Sequence, residues 1–441
     1  MKKLLGGLIL FICIQSCKQS TEYKNFLHDP ALFSHTVHEL NTVVMGNNFP
    51  PMVASRNYAY AAIAAYEVIA AAYPDQYTSL GGQLKGLQQH NISAIDAEAD
   101  IELATLLAYM KVGESVTFPE GSMKLYEDSI LQVARDKGLS RKIEEASRKL
   151  ADSISMHIIR WSKKDNYLET RGAEKYAVKK IPGRWVPTPP MYATAVEPHW
   201  HEIRPLVIDS AGIFDPPPPP VFNMSDKESK YYQEVIAIKN AIDSLTPEQK
   251  HIAEFWDDNP FKMNVTGHVM FGSKKFSPSG HWMSIVGIAG KKANADFATH
   301  VYAVAKTSIA LFDAFIQSWY VKYKYNTARP ETIINEYIDP NWRPYLQTPA
   351  FPEYTCGHST ISSAAAEALT SVFGDNFAYT DSTELEFGIP NRSFKSFRHA
   401  AEENNWARFY GGIHFHNSCI VSTDLGQRVG RLIVDRLKMK K

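Results

Sequence analysis

ATHVYAVAKTSIALFDAFIQSWYVKYKYNTARP, residues 298–330, is the most informative stretch of this 441-residue sequence for the fold. Its apolar residues recur at helical spacing from Ala298 to about Tyr323. Proline disfavours helical backbone in the residue before it, so the helix should end ahead of Arg329-Pro330. We therefore predict one long helix that ends on two cations, Lys322 and Arg329.

Helical periodicity also dominates the rest of the chain, and strand-like alternation is scarce. No repeat of about 34 residues or similar length is visible, which argues against a helical solenoid. The sequence therefore predicts an all-α fold. The other candidate helices are Arg56–Tyr73, Ile101–Lys111, Lys124–Lys137, Arg141–Trp161, a segment from about Lys230, Thr360–Phe373, Ser396–Phe409 and Asn417–Leu437.

Residues 172–225 differ from the helical segments because they are rich in proline, including the run 216–220. Such a composition favours extended or polyproline backbone. Trp185, Tyr192 and Trp200 offer apolar anchors, so we predict an ordered strap and not a disordered linker. The expected organisation is an N-terminal helical region with this strap, 18–225, and a second helical bundle, 226–441.

The first seventeen residues have the pattern of a targeting segment, with Lys2 and Lys3 ahead of a short apolar run. The run ends in Ile-Gln-Ser-Cys17, which resembles the lipobox of bacterial lipoproteins. We expect a signal peptide over 1–17 and a lipid on Cys17. The protein should then be exported and anchored to the cell envelope, in the periplasm or outer membrane. Ordinary secretion with cleavage nearby is the alternative.

Cysteine content and charge limit the other classes of structure and partner. Of four cysteines, the predicted signal and lipid account for Cys13 and Cys17, which leaves Cys356 and Cys419. A disulfide framework is therefore not expected, although one Cys356–Cys419 bridge stays open. Lys+Arg and Asp+Glu are both 47, with no basic tail, so nothing favours a nucleic-acid partner or an anionic membrane surface.

Three short stretches in the second half of the sequence contain basic residues and histidines. The first stretch runs from Lys322 to Pro330. Two cations at one helix end repel each other unless an anion neutralises them, and Arg can donate to an oxyanion through two N–H groups. Such a pair alone is more often a solvated helix end.

The second stretch, Cys356-Gly357-His358, precedes a run of small residues that should form a helix. A helix N-terminus presents free N–H groups to an anion, and Gly357 would let the backbone approach closely. His358 could act there as an acid or a base. A capping turn with a surface histidine is the alternative.

The third stretch places Arg408 in the last turn of one helix and His414 at the start of the next, on either side of Gly411-Gly412. That turn would let both side chains converge. Zinc has weak support because no carboxylate or third histidine stands at metal spacing beside His414 and His416. We therefore predict a pocket for a phosphate-shaped oxyanion, built from Lys322, Arg329, Gly357, His358, Arg408 and His414.

Together the stretches resemble the signature of the vanadium haloperoxidase and type 2 phosphatidic acid phosphatase superfamily: Lys-x6-Arg-Pro, Ser-Gly-His, then Arg-x5-His. The resemblance covers about residues 230–441. It is closest to the flavobacterial iodoperoxidases, in which a Trp and a Phe line the site. Trp319 and Phe351 occupy those places here. The resemblance implies the helical bundle of this superfamily, with an additional N-terminal helical part.

The resemblance also implies roles for the pocket residues, with vanadate as cofactor. Lys322, Arg329 and Arg408 would neutralise the anion, and Cys356 and Gly357 would contact its oxygens. His414 would ligate vanadium, and His358 would be the acid–base group. Hydrogen peroxide would then oxidise a halide, with iodide the expected one, while Lys322 polarises the bound peroxide. In a phosphatase His414 would instead attack a phosphate ester and form a phosphohistidine.

Two positions depart from the family pattern. Cys356 replaces a serine, so a weak thiol donor stands in place of a hydroxyl, and a thiol near peroxide is open to oxidation. Ser418 stands where many members have an Asp that orients the histidine, so His414 should lack a carboxylate partner. This loss should weaken a phosphate nucleophile more than a vanadate ligand, which favours the peroxidase. A pseudoenzyme and a non-catalytic, glycan-binding lipoprotein stay as alternatives.

A second copy of the Ser-Gly-His motif occurs in PSGH, residues 278–281. It precedes Lys322 instead of following Arg329, and Trp282 and Met283 come after it instead of small residues. We predict that His281 does not belong to the anion cradle, although this segment could border the pocket.

Overall fold

The long helix predicted from residues 298–323 exists and runs from Phe297 to Tyr325. Asp296 caps its first turn by accepting a hydrogen bond from the Thr299 N–H, as N-cap aspartates do. Asn326 ends the helix in the left-handed conformation, with its N–H bonded to the Lys322 carbonyl. Lys322 therefore lies in the last turn, as predicted.

A computed structural model describes residues 21–92, 94–266, 269–273 and 275–441. The predicted signal peptide and Cys17 lie outside these residues. In chain order the α-helices are α1 (Glu22–Leu27), α2 (Pro30–Gly46), α3 (Pro51–Ala72), α4 (Ile101–Ser115), α5 (Lys124–Asp136), α6 (Arg141–Ser162), α7 (Tyr167–Arg171), α8 (Lys230–Asp243), α9 (Pro247–Phe255), α10 (Pro278–Lys292), α11 (Phe297–Tyr325), α12 (Pro330–Tyr337), α13 (Gly357–Phe373), α14 (Phe397–Tyr410) and α15 (His416–Arg436).

The strands form two short antiparallel hairpins in the described parts of the chain. β1 (Lys262–Thr266) pairs with β2 (Val269–Ser273), and β3 (Tyr379–Asp381) pairs with β4 (Arg392–Phe394). The all-α prediction is confirmed, because these hairpins are small additions to a helical bundle. None of the described helices combines the length and apolarity that a membrane-crossing segment needs.

Helices α3 and α11 form the centre of the core. The Ala-rich α3 is buried along almost its whole length and packs on α4 and α11. One hydrophobic cluster extends from Tyr23 to Met439. The N-terminal helical part and the C-terminal bundle therefore share this cluster, and α11 holds both together. The predicted boundary between residues 225 and 226 stays a prediction.

The proline-rich strap is ordered through backbone contacts with α11. Buried Asp313 accepts hydrogen bonds from the N–H groups of Leu206, Val207 and Ile208 at 2.7, 2.7 and 2.9 Å. Burial nevertheless raises the pKa of Asp313 to about 6. These bonds fix the strap across the helix that carries Lys322.

Two of the three predicted strap anchors are correct. Trp185 and Trp200 are fully buried, whereas Tyr192 is 64% exposed. The prediction for Tyr192 was wrong: this residue follows the turn at 189–191, has a positive φ of 46°, and leaves its ring exposed.

Candidate oxyanion site

Five helix ends meet at one buried point and carry the predicted pocket residues. Lys322 ends α11, Arg329 precedes α12, Cys356 and Gly357 begin α13, Arg408 lies in the last turn of α14, and His414 precedes α15. The exposed fraction of Lys322, Arg329, Cys356, Arg408 and His414 is at most 2%. His414 lies in the turn before α15 and not in its first turn, because Gly412, at a φ of 75°, still reverses the chain there.

Lys322 is held by backbone carbonyls. Its ammonium donates hydrogen bonds to the Pro352 carbonyl at 2.9 Å, to the Glu353 carbonyl at 3.1 Å and to the Thr355 carbonyl. All three donors are used, which favours the charged form. Burial, together with the charge of Arg329, lowers the pKa of Lys322 well below its ordinary value. An anion in the pocket would offset the free-energy cost of keeping this ammonium charged.

Arg329 connects the first and third stretches. Its Nη1 donates to the Ile413 carbonyl at 2.7 Å and lies 3.0 Å from His414 Nε2, while its Nε donates to the Phe351 carbonyl at 2.9 Å. Burial lowers the pKa of Arg329 to about 10. The guanidinium is therefore fixed in orientation before any ligand binds.

The pocket contains buried nitrogen atoms that no protein group satisfies within the described part of the chain. Arg329 Nη2, Arg408 Nε and His358 Nε2 have no hydrogen-bond partner. Among the described residues, Lys322, Arg329 and Arg408 form no ion pair with a carboxylate either. A buried charge is costly unless it is paired, and Glu353 offsets only part of this cost for Lys322 and Arg329. An anion bound between the three cations would offset the rest. These residues fit a tetrahedral oxyanion such as vanadate or phosphate.

The N-terminus of α13 faces the same point. Cys356 occupies the N-cap position and makes no side-chain cap, so its helix lacks the usual side-chain acceptor. A Cβ on Gly357 would lie 3.4 Å from the Trp319 ring and 3.7 Å from Lys322 Cε. The Gly357 N–H is therefore positioned beside the cations, where the helix dipole favours negative charge.

A carboxylate supports His414, contrary to the expectation based on Ser418. Glu353 Oε1 lies 2.9 Å from His414 Nδ1 and also accepts a hydrogen bond from the Phe415 N–H at 3.3 Å. A carboxylate can only accept, so Nδ1 carries the proton, and the Nε2 lone pair accepts the hydrogen bond from Arg329 Nη1. The prediction that His414 lacks a carboxylate was wrong, because the partner comes from the loop before α13. The Ser418 hydroxyl is buried without a partner.

Trp319 and Phe351 form the apolar wall of the pocket. Their ring centroids are 5.0 Å apart. Lys322 Nζ lies 5.6 Å from the Trp319 centroid and 5.0 Å from that of Phe351, and the Arg329 guanidinium lies 4.9 Å from Phe351. Cation–π attraction thus helps to hold both cations beside the anion position, where Arg329 Nη2 is the donor left without a partner.

A cavity of about 560 Å³ leads to the pocket. His358 and Arg408 lie at its inner end, and the strap segment 188–196 and the loop 257–261 form its sides. Burial, followed by the charge of Arg408, lowers the pKa of His358 well below its ordinary value. His358 is therefore a neutral imidazole that can accept a proton from a molecule entering through the cavity.

The PSGH segment supplies a separate charged cluster beside the cavity. His281 Nδ1 lies 2.9 Å from Asp258 and its Nε2 lies 2.9 Å from Asp381, and the imidazole is fully buried. Although burial opposes it, these two carboxylates raise the pKa of His281 well above its ordinary value. Because His281 donates through both nitrogens, it is not in the anion cradle, while Asp258 borders the cavity.

Glu384 completes this cluster and should make the stability of the protein depend on pH. Burial, opposed by His281 and reinforced by Asp258, raises the pKa of Glu384 from 4.5 to about 7. A carboxyl with a raised pKa favours the folded state below its ordinary value, and this stability is lost as the pH rises through the folded value. Relative to Glu384→Gln, the wild type should lose roughly 3 kcal/mol of unfolding free energy between about pH 4.5 and pH 7.5.

Urea unfolding of both proteins across that pH range measures this difference. Parallel stability curves would show that Glu384 does not titrate there. The Gln side chain keeps the shape of Glu and can still accept from Lys275, which donates to Glu384 at 3.3 Å.

Comparison with known proteins relates this site to a family. The family described as the VCPO second helical-bundle domain matches residues 302–440. The crystal structure of the first bacterial vanadium-dependent iodoperoxidase superposes with a TM-score of 0.87 at 41% sequence identity, over 93% of this chain and 97% of that one. No curated protein matches the chain significantly.

The same fold recurs at low sequence identity. Holo and apo crystal structures of a bacterial vanadium-dependent chloroperoxidase each superpose with a TM-score of 0.65 at 18% identity. They cover 88% of this chain and 92% and 94% of their own chains. At this identity the likeness shows the fold alone.

Proposed function

The chain belongs to the vanadium-dependent haloperoxidases, enzymes of the peroxidase class that use vanadate, and from this we propose that it oxidises iodide with hydrogen peroxide at a vanadate ligated by His414. The observation that carries the proposal is a group of three buried cations that form no ion pair within the described chain and that lie beside unpartnered nitrogen atoms. Iodide is chosen because the relative at 41% identity is an iodoperoxidase.

Each pocket residue has a role that follows from its contacts. Arg329 and Arg408 direct unpartnered N–H groups at the anion, and Lys322 adds positive charge from the pocket floor. Positive charge that is oriented in advance stabilises negative charge without reorganisation during the reaction. When vanadate is bound, it supplies the Lewis acidity that activates hydrogen peroxide toward a halide.

The two histidines have different roles: His414 would ligate vanadium, and His358 would transfer protons. Glu353 holds the proton on His414 Nδ1, so the Nε2 lone pair, which accepts from Arg329 Nη1 in the anion-free protein, would ligate vanadium. His358 lies at the inner end of the cavity with Nε2 unpartnered, so it can take a proton from peroxide and return it to the leaving oxygen.

A phosphatase of the same fold is the second candidate, and the Glu353–His414 hydrogen bond favours it. The sequence disfavoured a phosphohistidine at His414 because the orienting carboxylate was thought to be missing. Glu353 supplies that carboxylate, so the choice between the two reactions rests on membership of the haloperoxidase family.

Loading the purified protein with vanadate decides between the two reactions. We expect peroxide-dependent iodide oxidation that is absent without vanadate and is suppressed by excess phosphate, since both anions compete for one pocket. A phosphomonoester assay on the vanadate-free protein is the matched measurement. Background iodide oxidation together with clear phosphomonoester hydrolysis would contradict the peroxidase proposal.

We also propose that the protein is exported and anchored to the cell envelope by a lipid on Cys17. The support is the sequence pattern of residues 1–17. Incorporation of a labelled fatty acid that is lost in Cys17→Ser tests it, and a labelled Cys17→Ser protein would contradict it.

A further inference from the structure

Two buried thiols lie together behind the oxyanion pocket. Cys356 is the N-cap of α13, and Cys419 lies in the first turn of α15. Both are free and 0% exposed. The Cys356 N–H donates to Ser422 Oγ at 2.8 Å, which holds Cys356 against the face of α15 that also carries Cys419. Each sulfur is the hydrogen-bonding neighbour of the other, and α13 and α15 pack directly against each other.

The Cys356 sulfur also faces the pocket. It shares a hydrogen bond with His414 and interacts electrostatically with His358 and Lys322. These are the groups that surround the anion position, and His358 borders the cavity that leads outward. Hydrogen peroxide that enters this cavity therefore comes next to His358, the neighbour of this sulfur.

We propose that Cys356 and Cys419 are a redox modification site, in which hydrogen peroxide oxidises Cys356 and Cys419 then closes a disulfide with it. The site is distinct from halide oxidation, because its oxidant is peroxide itself and no vanadate takes part. As a consequence of this oxidation, the pocket loses the Cys356 thiol when hydrogen peroxide accumulates and no halide is present to consume it.

Both steps balance with peroxide as the single oxidant. The Cys356 sulfur attacks one peroxide oxygen, the O–O bond breaks, an S–O bond forms, and the second oxygen leaves as water with the thiol proton. Sulfur loses two electrons and peroxide gains them, giving a sulfenic acid. The Cys419 sulfur then attacks the Cys356 sulfur, the S–O bond breaks, the S–S bond forms, and hydroxide leaves as water with the Cys419 proton.

The arrangement also explains why the second cysteine matters. A sulfenic acid beside no thiol would be oxidised further to irreversible sulfinic acid. Cys419 lies in contact with Cys356, so closure of the disulfide should protect the site and keep the change reversible by thiol reductants.

The experiment treats the purified, vanadate-free full chain with hydrogen peroxide and no halide, followed by non-reducing peptide mapping by mass spectrometry. We expect a Cys356–Cys419 disulfide, loss of both free thiols, and a phosphate affinity at least several-fold weaker by calorimetry. Dithiothreitol should restore both. Omitting vanadate separates this result from the proposed function, since halide oxidation is impossible under these conditions.

Two variants complete the test. In Cys419→Ser, dimedone should trap a sulfenic acid at Cys356, which then proceeds to sulfinic acid. In Cys356→Ser, which has the hydroxyl of the family pattern, Cys419 should stay reduced and phosphate binding should be insensitive to peroxide. Thermal unfolding verifies that each variant is folded. The peptide mapping of the wild type tests the proposal even if a variant fails to fold. Free thiols at both positions after peroxide treatment, or oxidation of Cys419 alone, would overturn the proposal.

Discussion

Arg408→Met should weaken vanadate binding by at least about 100-fold and lower peroxidase turnover in parallel. Arg408 is 1% exposed, its Nε has no protein partner, and among the described residues no carboxylate pairs with it. A charge-assisted hydrogen bond in a buried site contributes roughly 1.5–3 kcal/mol, and loss of the positive charge adds to it. Calorimetric titration with vanadate, and with phosphate as a second anion, measures the affinity.

The same substitution should cost little stability in the anion-free protein. Removal of a buried, unpaired charge offsets the loss of the two hydrogen bonds that Arg408 Nη1 donates to the Trp256 and Asp257 carbonyls. Arg398→Met is the matched control, because Arg398 lies on the same helix but pairs with Glu367 and Asp375. The control should change stability and leave vanadate affinity alone. Unchanged affinity in Arg408→Met would contradict the assignment of this pocket.

The fold and the convergence of the pocket residues could be predicted from the sequence because both follow from local signals. Helical periodicity and the proline at 330 fixed the end of α11, and the order of the three stretches identified the pocket residues. The order of the three motifs along the chain was also more informative than the amino-acid identities within a single motif. PSGH at 278–281 matches the family motif, yet its histidine is held between two carboxylates outside the cradle.

The features that could not be predicted all depend on contacts between distant parts of the chain. Glu353 and His414 are separated by 61 positions, and only the fold brings them to 2.9 Å. The family pattern directed attention to Ser418, four residues from the histidine, whereas the loop before α13 supplies the carboxylate. Contact between the two cysteines has the same origin, since it requires α13 and α15 to pack together. Tyr192 shows that an aromatic residue in a strap is no proof of burial.

Glu353→Gln should weaken vanadate binding and turnover by about 100-fold, although the side chain keeps its size. The carboxylate fixes the proton on His414 Nδ1 and increases the basicity of Nε2, and loss of such a partner typically costs 10–100-fold in metal affinity. A Gln amide can donate to Nδ1, which would move the proton to Nε2 and remove the lone pair that binds vanadium. Calorimetry and steady-state kinetics measure both effects, with thermal unfolding as the check on folding.

A second substitution distinguishes a positioning role from a structural one. Ser418 is buried without a hydrogen-bond partner at the place where many family members carry an Asp. If Glu353 acts by orienting His414, Ser418→Asp should restore part of the vanadate affinity in the Glu353→Gln background, because it offers the histidine a carboxylate from α15. A purely structural Glu353 would not be rescued in this way. Glu353→Gln with vanadate affinity within twofold of the wild type would show that His414 needs no carboxylate.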